Sequence, residues 1–151
     1  MRFGLLSPAL LTALSACSVT VPVTGLTGDG SEVYRGTATG YAGGRGDIKM
    51  KGLVSGVECF GGFTYTRIVG GTGSKGIADV MCKDGRKAKL EFLAESLNKG
   101  MGTGVDSDGH PFVFTYGMTD AETADVFRQV MLKQPRPEAP TRQQRPPGID
   151  H

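Results

Sequence analysis

Glycine placement constrains this chain more than any other feature. Of its 24 glycines, all but Gly4 and Gly148 fall between Gly25 and Gly117, without the three-residue period of collagen. They separate short apolar runs, so they read as turns, bulges and points where one strand crosses close to another. The predicted fold is therefore mainly β. Lys87-Ala88-Lys89-Leu90-Glu91-Phe92 is the clearest strand, with Ala88, Leu90 and Phe92 on one face and charges on the other. Ile48 and Met50 alternate in the same way, and Phe112, Phe114 and Tyr116 form an aromatic stripe with Val113 and Thr115 opposite. The pattern predicts about seven short strands, at 33–39, 46–52, 57–66, 76–82, 87–93, 99–105 and 111–117. Asp84-Gly85 and Asp108-Gly109 supply hairpin turns before two of them. Sequential hairpins with little helix predict a small antiparallel meander, either a barrel or a curled sandwich.

One C-terminal helix is expected over 119–132. Thr119 and Glu122 stand at capping-box spacing, and Ala124, Phe127 and Met131, with Val130 beside them, make an apolar stripe that can lie against the sheet or one end of a barrel. Residues 133–151, rich in Pro and carrying Arg136, Arg142 and Arg145, are expected to be an extended, mobile tail. Such a tail could touch acidic polymers, lipid head groups or a protein, or act as a spacer.

The N-terminus carries an address. Arg2 supplies a positive start, Phe3 to Leu14 an apolar run, and Leu14-Ser15-Ala16-Cys17 a small-residue ending. At about 12 residues the run is too short for a spanning helix, which needs about 20. This segment resembles the lipobox signal of bacterial lipoproteins. The resemblance implies cleavage before Cys17, a thioether-linked diacylglycerol on its sulfur and commonly a third acyl chain on its amine. Two or three chains hold a protein stably on a membrane. In the family this segment resembles, an aspartate after the cysteine retains the protein in the inner membrane, so Ser18 favours the outer membrane.

 The expected location is thus the outer membrane, lipid-anchored, with the domain facing the periplasm. Residues 17–30, rich in Thr, Val and Gly, are expected to be the lipidated N-terminus and a flexible tether, which leaves 31–132 as the β domain with its helix.

Removal of residues 1–16 leaves 135 of the 151 residues, enough for one domain. The net charge of +2 drops by one with Arg2, and neither that balance nor an exported location suits a nucleic-acid partner. With Cys17 lipidated, Cys59 and Cys82 remain as an even pair. In an oxidising periplasm such a pair is expected to form a structural disulfide. Val57, Cys59, Gly61 and Phe63 share one strand face and Ala78, Val80 and Cys82 another, so both sulfurs can point into the core. There is no CxxC, and His110 and His151 stand far from both cysteines, so no metal site is read.

No cofactor or catalytic motif emerges. Arg45-Gly46-Asp47 sits in a glycine-rich turn, and Asp106-Ser107-Asp108-Gly109 lacks the closing glutamate of a calcium loop. Gly70 to Gly76 lacks the Lys-Ser/Thr ending of a phosphate loop. A serine hydrolase would have to use His110, yet no serine stands in a nucleophile elbow.

The lipobox, the Cys59 and Cys82-Lys83-Asp84-Gly85-Arg86 module and the late Gly-x-Gly-x-Gly hairpin look like the small envelope lipoproteins of bacteria with two membranes. That likeness names no activity. The expected function is a nonenzymatic, lipid-anchored accessory or structural lipoprotein, with membrane lipid as one partner through Cys17 and an envelope protein as the other. The alternative is a small barrel that holds an apolar ligand or inhibits a protease. A roomy apolar cavity would support ligand carriage, and a filled core with an exposed apolar patch would support protein docking.

Overall fold

Side-chain alternation and hairpin turns together roll the chain into a closed sheet. The computed structural model describes residues 17–70 and 72–133. Eight strands follow in order: β1 (Ser18–Thr27), β2 (Val33–Tyr41), β3 (Arg45–Gly52), β4 (Glu58–Arg67), β5 (Lys75–Cys82), β6 (Lys87–Ser96), β7 (Lys99–Asp106) and β8 (Pro111–Tyr116). Each pairs antiparallel with the next, and β1 pairs with β8 to close a meander barrel. Closure removes both sheet edges. The helix α1 (Asp120–Lys133) follows.

Two expectations are corrected. The sheet has eight strands where about seven were expected, because most of the segment read as a tether, 17–30, is β1. Its β-branched Val and Thr residues suit a pleated strand as well as a loose linker, and pairing decides between the two. β1 lies against β2 from Ser18↔Tyr41 to Leu26↔Val33 and against β8 from Val23↔Tyr116 to Thr27↔Phe112. The β domain thus begins at Ser18, not at residue 31. Lys133, read as the start of the tail, ends α1; the signal segment 1–16 and the rest of the tail lie outside the described residues.

The interior takes every second side chain. Tyr34, Ile48, Met50, Cys59, Val80, Leu90, Phe92 and Phe114 are buried there, while the lysines of β3 and β6 face out. α1 lies on the outer wall against β8, where Val113 and Thr115 are buried beneath it and the Thr115 and Thr123 hydroxyls share a hydrogen bond of 2.9 Å. The expected stripe is partly corrected as well. Phe127 and Val130 are half-buried, but Ala124 and Met131 are exposed, because the helix is turned to bring Thr123 onto Thr115. The capping box forms: the Thr119 N–H donates to the Glu122 carboxylate at 2.8 Å, and the Glu122 N–H donates to the Thr119 hydroxyl at 3.3 Å. Lys99 of β7 pairs with Glu122 and ties the helix start to the wall.

The two ends of the barrel differ. The β1–β2, β3–β4, β5–β6 and β7–β8 turns gather at one end, which is closed. There the buried Glu32 carboxylate accepts hydrogen bonds from the Val54 N–H at 2.8 Å and the Ser55 N–H at 2.9 Å. Burial pushes the Glu32 pKa up, but hydrogen bonds from Ser55, Val54 and Leu53 outweigh it and hold the carboxyl below its ordinary value of 4.5. A depressed folded-state pKa stabilises fully above the unfolded value and loses that contribution as pH falls through the folded one. Glu32→Gln is therefore expected to cost about 2 kcal/mol near neutral pH, from charge-assisted bonds made weaker. The gap between variant and wild type should narrow steadily below about pH 4.5 in urea titrations; a gap independent of pH would refute the assignment.

Candidate functional site

On two strands the inward side chains shrink toward the opposite end. Along β2 they run Tyr34, Gly36, Ala38, Gly40, and along β5, read from the closed end, Cys82, Val80, Ala78, Gly76. The closed half is filled. Tyr34 stacks edge-on against Phe112 at 5.7 Å and accepts a hydrogen bond from Arg86 at 2.9 Å, while Arg86 also pairs with Asp84 at 2.8 Å. Only about 40 Å³ of space remains there.

In the other half the small residues leave an apolar cavity of about 360 Å³. Val21, Val23, Ala38, Ile48, Ala78 and Phe114 form its depth. Its aromatic wall is a set of edge-to-face pairs, Phe63 with Phe92 at 6.0 Å, Tyr65 with Phe92 at 5.1 Å and Phe92 with Tyr116 at 5.8 Å. Its mouth is framed by Cys17, Tyr41, Arg45, Ile68, Leu97 and Asn98. The opening therefore lies where β1 starts, among the β2–β3, β4–β5 and β6–β7 connections.

One polar group on this wall is unsatisfied. The Tyr116 residue is 8% exposed, and its buried hydroxyl has no hydrogen-bond partner among the described residues. Burial pushes its pKa far above the tyrosine range, and the nearby Tyr65 hydroxyl, which stops short of hydrogen-bonding geometry, adds to the shift. Tyr65 instead donates to the Leu97 carbonyl at 3.5 Å. A buried hydroxyl without a partner costs about 1–3 kcal/mol, and a ligand group that accepts or donates one hydrogen bond would relieve it. Tyr116 remains a neutral phenol, so it serves as a hydrogen-bonding group and not as an acid.

The residues singled out from sequence fall in separate places. Cys17 is exposed and free at the cavity mouth. Cys59 and Cys82 oppose each other across β4 and β5 and form the disulfide, in the closed half. His110 is exposed in the β7–β8 turn, with its ring against the Asp106 carboxylate at 3.2 Å. Among the described residues, Asp106, Asp108 and His110 place three ligand atoms within 4.8 Å of one another. The same Asp106 carboxylate accepts the Asp108 and His110 N–H groups, each at 2.9 Å, which makes it the brace of a hairpin turn. The cavity residues Ala38, Gly40, Tyr65 and Ala78 were not singled out as a site from sequence. For Ala38, Gly40 and Ala78 the signal is the taper from large to small along successive inward positions of β2 and β5, which becomes readable once the ends of the barrel are known.

No family model and no curated protein matches this chain. Solved structures of redesigned β-barrels do. One, mFAP1 bound to DFHBI, is 19% identical with a TM-score of 0.51, covering 66% of this chain and 92% of its own. Another, mFAP0 bound to DFHBI, is 17% identical with a TM-score of 0.51, covering 66% and 95%. A further redesigned barrel is 18% identical at a TM-score of 0.51, covering 67% and 90%. At these identities the likeness is one of fold.

Proposed function

We propose that this chain is a nonenzymatic envelope lipoprotein, anchored to the outer membrane through acylated Cys17, whose barrel binds an apolar small molecule in its open half. The cavity of about 360 Å³ carries the reading: it falls within the 300–1,000 Å³ range common for ligand pockets, in a barrel whose other half is packed. The ligand class is apolar with one hydrogen-bonding group, which the Tyr116 hydroxyl would meet. Two redesigned barrels of similar fold are bound to DFHBI, so a barrel of this kind can take up a small molecule. The protein-contact reading draws on Phe60 and Met81, neighbours on the outer wall that are 43% and 54% exposed; crosslinking in native cells with a Cys17→Ala control tests it.

The cavity itself is tested by filling it. A Cβ built at Gly40 meets nothing closer than the Phe63 ring at 3.7 Å and the Val19 carbonyl at 3.9 Å, so Gly40→Leu fits locally and projects into the space. Wild-type protein is expected to bind the apolar fluorophore N-phenyl-1-naphthylamine saturably, with one site per barrel. Gly40→Leu should weaken that binding at least about tenfold, roughly 1.4 kcal/mol, without loss of thermal stability. Absence of saturable binding, or equal affinity in the variant, would sink the proposal.

A further inference from the structure

We infer that the open end of the barrel is the face that meets the bilayer, so that the cavity opens onto lipid. This rests on acylation of Cys17, and three observations then fix the orientation. The first is the length of the connection. Ser18 already pairs with Tyr41 in β1, and Cys17 itself lines the cavity mouth. A lipid on Cys17 leaves the protein at the rim with no linker to let the domain turn over. The ten residues of β1, at about 3.3 Å each along a strand tilted by about 35–45° to the barrel axis, hold the closed end roughly 25 Å away.

The second is the rim. Tyr41 at the end of β2, Ile68 of the β4–β5 connection and Leu97 of the β6–β7 connection frame the mouth and are 45%, 62% and 68% exposed. Scattered exposed apolar residues need no explanation, but these three ring the opening beside the anchor. Among the described residues, the connections of the other end expose Leu53 and Val54 of a single turn, while Phe60, Met81 and Val105 near that end face sideways from the strands of the wall.

The third is charge. Arg45, Arg67, Lys75 and Lys99 flank the open end and outnumber Asp47 and Glu95 there, whereas Asp29 and Asp108 in the turns of the closed end and Asp106 at the end of β7 outnumber Lys51 and Lys87, Lys83 and Arg86 being tied to Glu58 and Asp84. An anionic lipid surface attracts the first end and repels the second.

The chain has no tryptophan, so one inserted tryptophan reports its own position. Leu97→Trp marks the rim and Val54→Trp the closed end; both replace exposed apolar residues. The full chain would be produced in a bacterium with two membranes and its mass measured. It would then be reconstituted into vesicles of brominated phosphatidylcholine with phosphatidylglycerol. The expected result is a blue-shifted Leu97→Trp emission quenched at least twofold more than that of Val54→Trp. Equal quenching, stronger quenching of Val54→Trp or quenching of neither overturns the inference while a lipidated mass leaves the anchor standing. A mass showing no lipid on Cys17 overturns the anchor and the inference with it.

Discussion

Gly36→Ala is expected to cost more than about 3 kcal/mol, the upper range of overpacking, while Gly40→Ala, on the same face of the same strand, is expected to leave stability unchanged or slightly raised. A Cβ built at Gly36 lands 1.8 Å from the Lys49 carbonyl oxygen and 2.7 Å from the Met50 Cα. These are backbone atoms of β3, which is held to β2 through Gly36↔Met50 and to β4 through Met50↔Cys59. β3 cannot retreat without loosening two ladders at once. At Gly40 the nearest atoms stand at ordinary contact distance, and alanine there restricts the unfolded chain, worth about 0.4–1 kcal/mol in favourable cases. Gly61 and Gly104 repeat the Gly36 geometry, with a Cβ 2.0 Å from the Asp79 and Lys89 carbonyl oxygens. Inward glycines of this kind let strands bend sharply enough for the sheet to close. Urea denaturation of the two variants beside wild type decides the matter, and a wild-type midpoint for Gly36→Ala would refute it.

The sequence-level reading succeeds where a strand has one buried face. Ile48 and Met50, Leu90 and Phe92, and Phe114 and Tyr116 all point inward as their alternation requires, because solvent and core enforce opposite chemistry on neighbouring residues. It fails at β1, whose outer residues Ser18, Thr20 and Pro22 are polar or small like those of a linker. Its pairing with β2 from Ser18 to Leu26 and with β8 from Val23 to Thr27 makes it a strand, and local composition carries no trace of either partner. Thr123 misleads for a related reason. A threonine on the buried side of a helix is satisfied by Thr115, a partner that exists only after the helix has docked. The cavity is legible in part: Ala38, Gly40 and Ala78 are visibly small, yet that smallness could equally serve close strand packing, as it does at Gly36. The lone Tyr116 hydroxyl is a property of geometry alone.

Replacing both Cys59 and Cys82 by alanine is expected to lower stability by about 3 kcal/mol relative to the oxidised protein, on the chain-entropy account of a loop of this size. The two residues are 23 apart in sequence and directly opposed in the β4–β5 register, so the bridge restrains the unfolded chain without redirecting the folded one. In a domain of ordinary stability, about 5–15 kcal/mol, that is a fifth or more of the total. Cys59 is 1% exposed, which makes alanine a better replacement than serine, whose hydroxyl would be buried beside apolar neighbours. Both sulfurs belong to the filled half of the barrel, away from the cavity formed by Val21, Ala38, Ala78 and Tyr116. Stability and binding should therefore separate. Dithiothreitol is expected to lower the urea midpoint of the wild type but not of the double variant, while fluorophore affinity at low urea changes by less than about twofold, under 0.4 kcal/mol. A wild-type midpoint indifferent to reductant would mean that the bridge contributes nothing to the fold, and a lost affinity would mean that the closed half shapes the cavity after all.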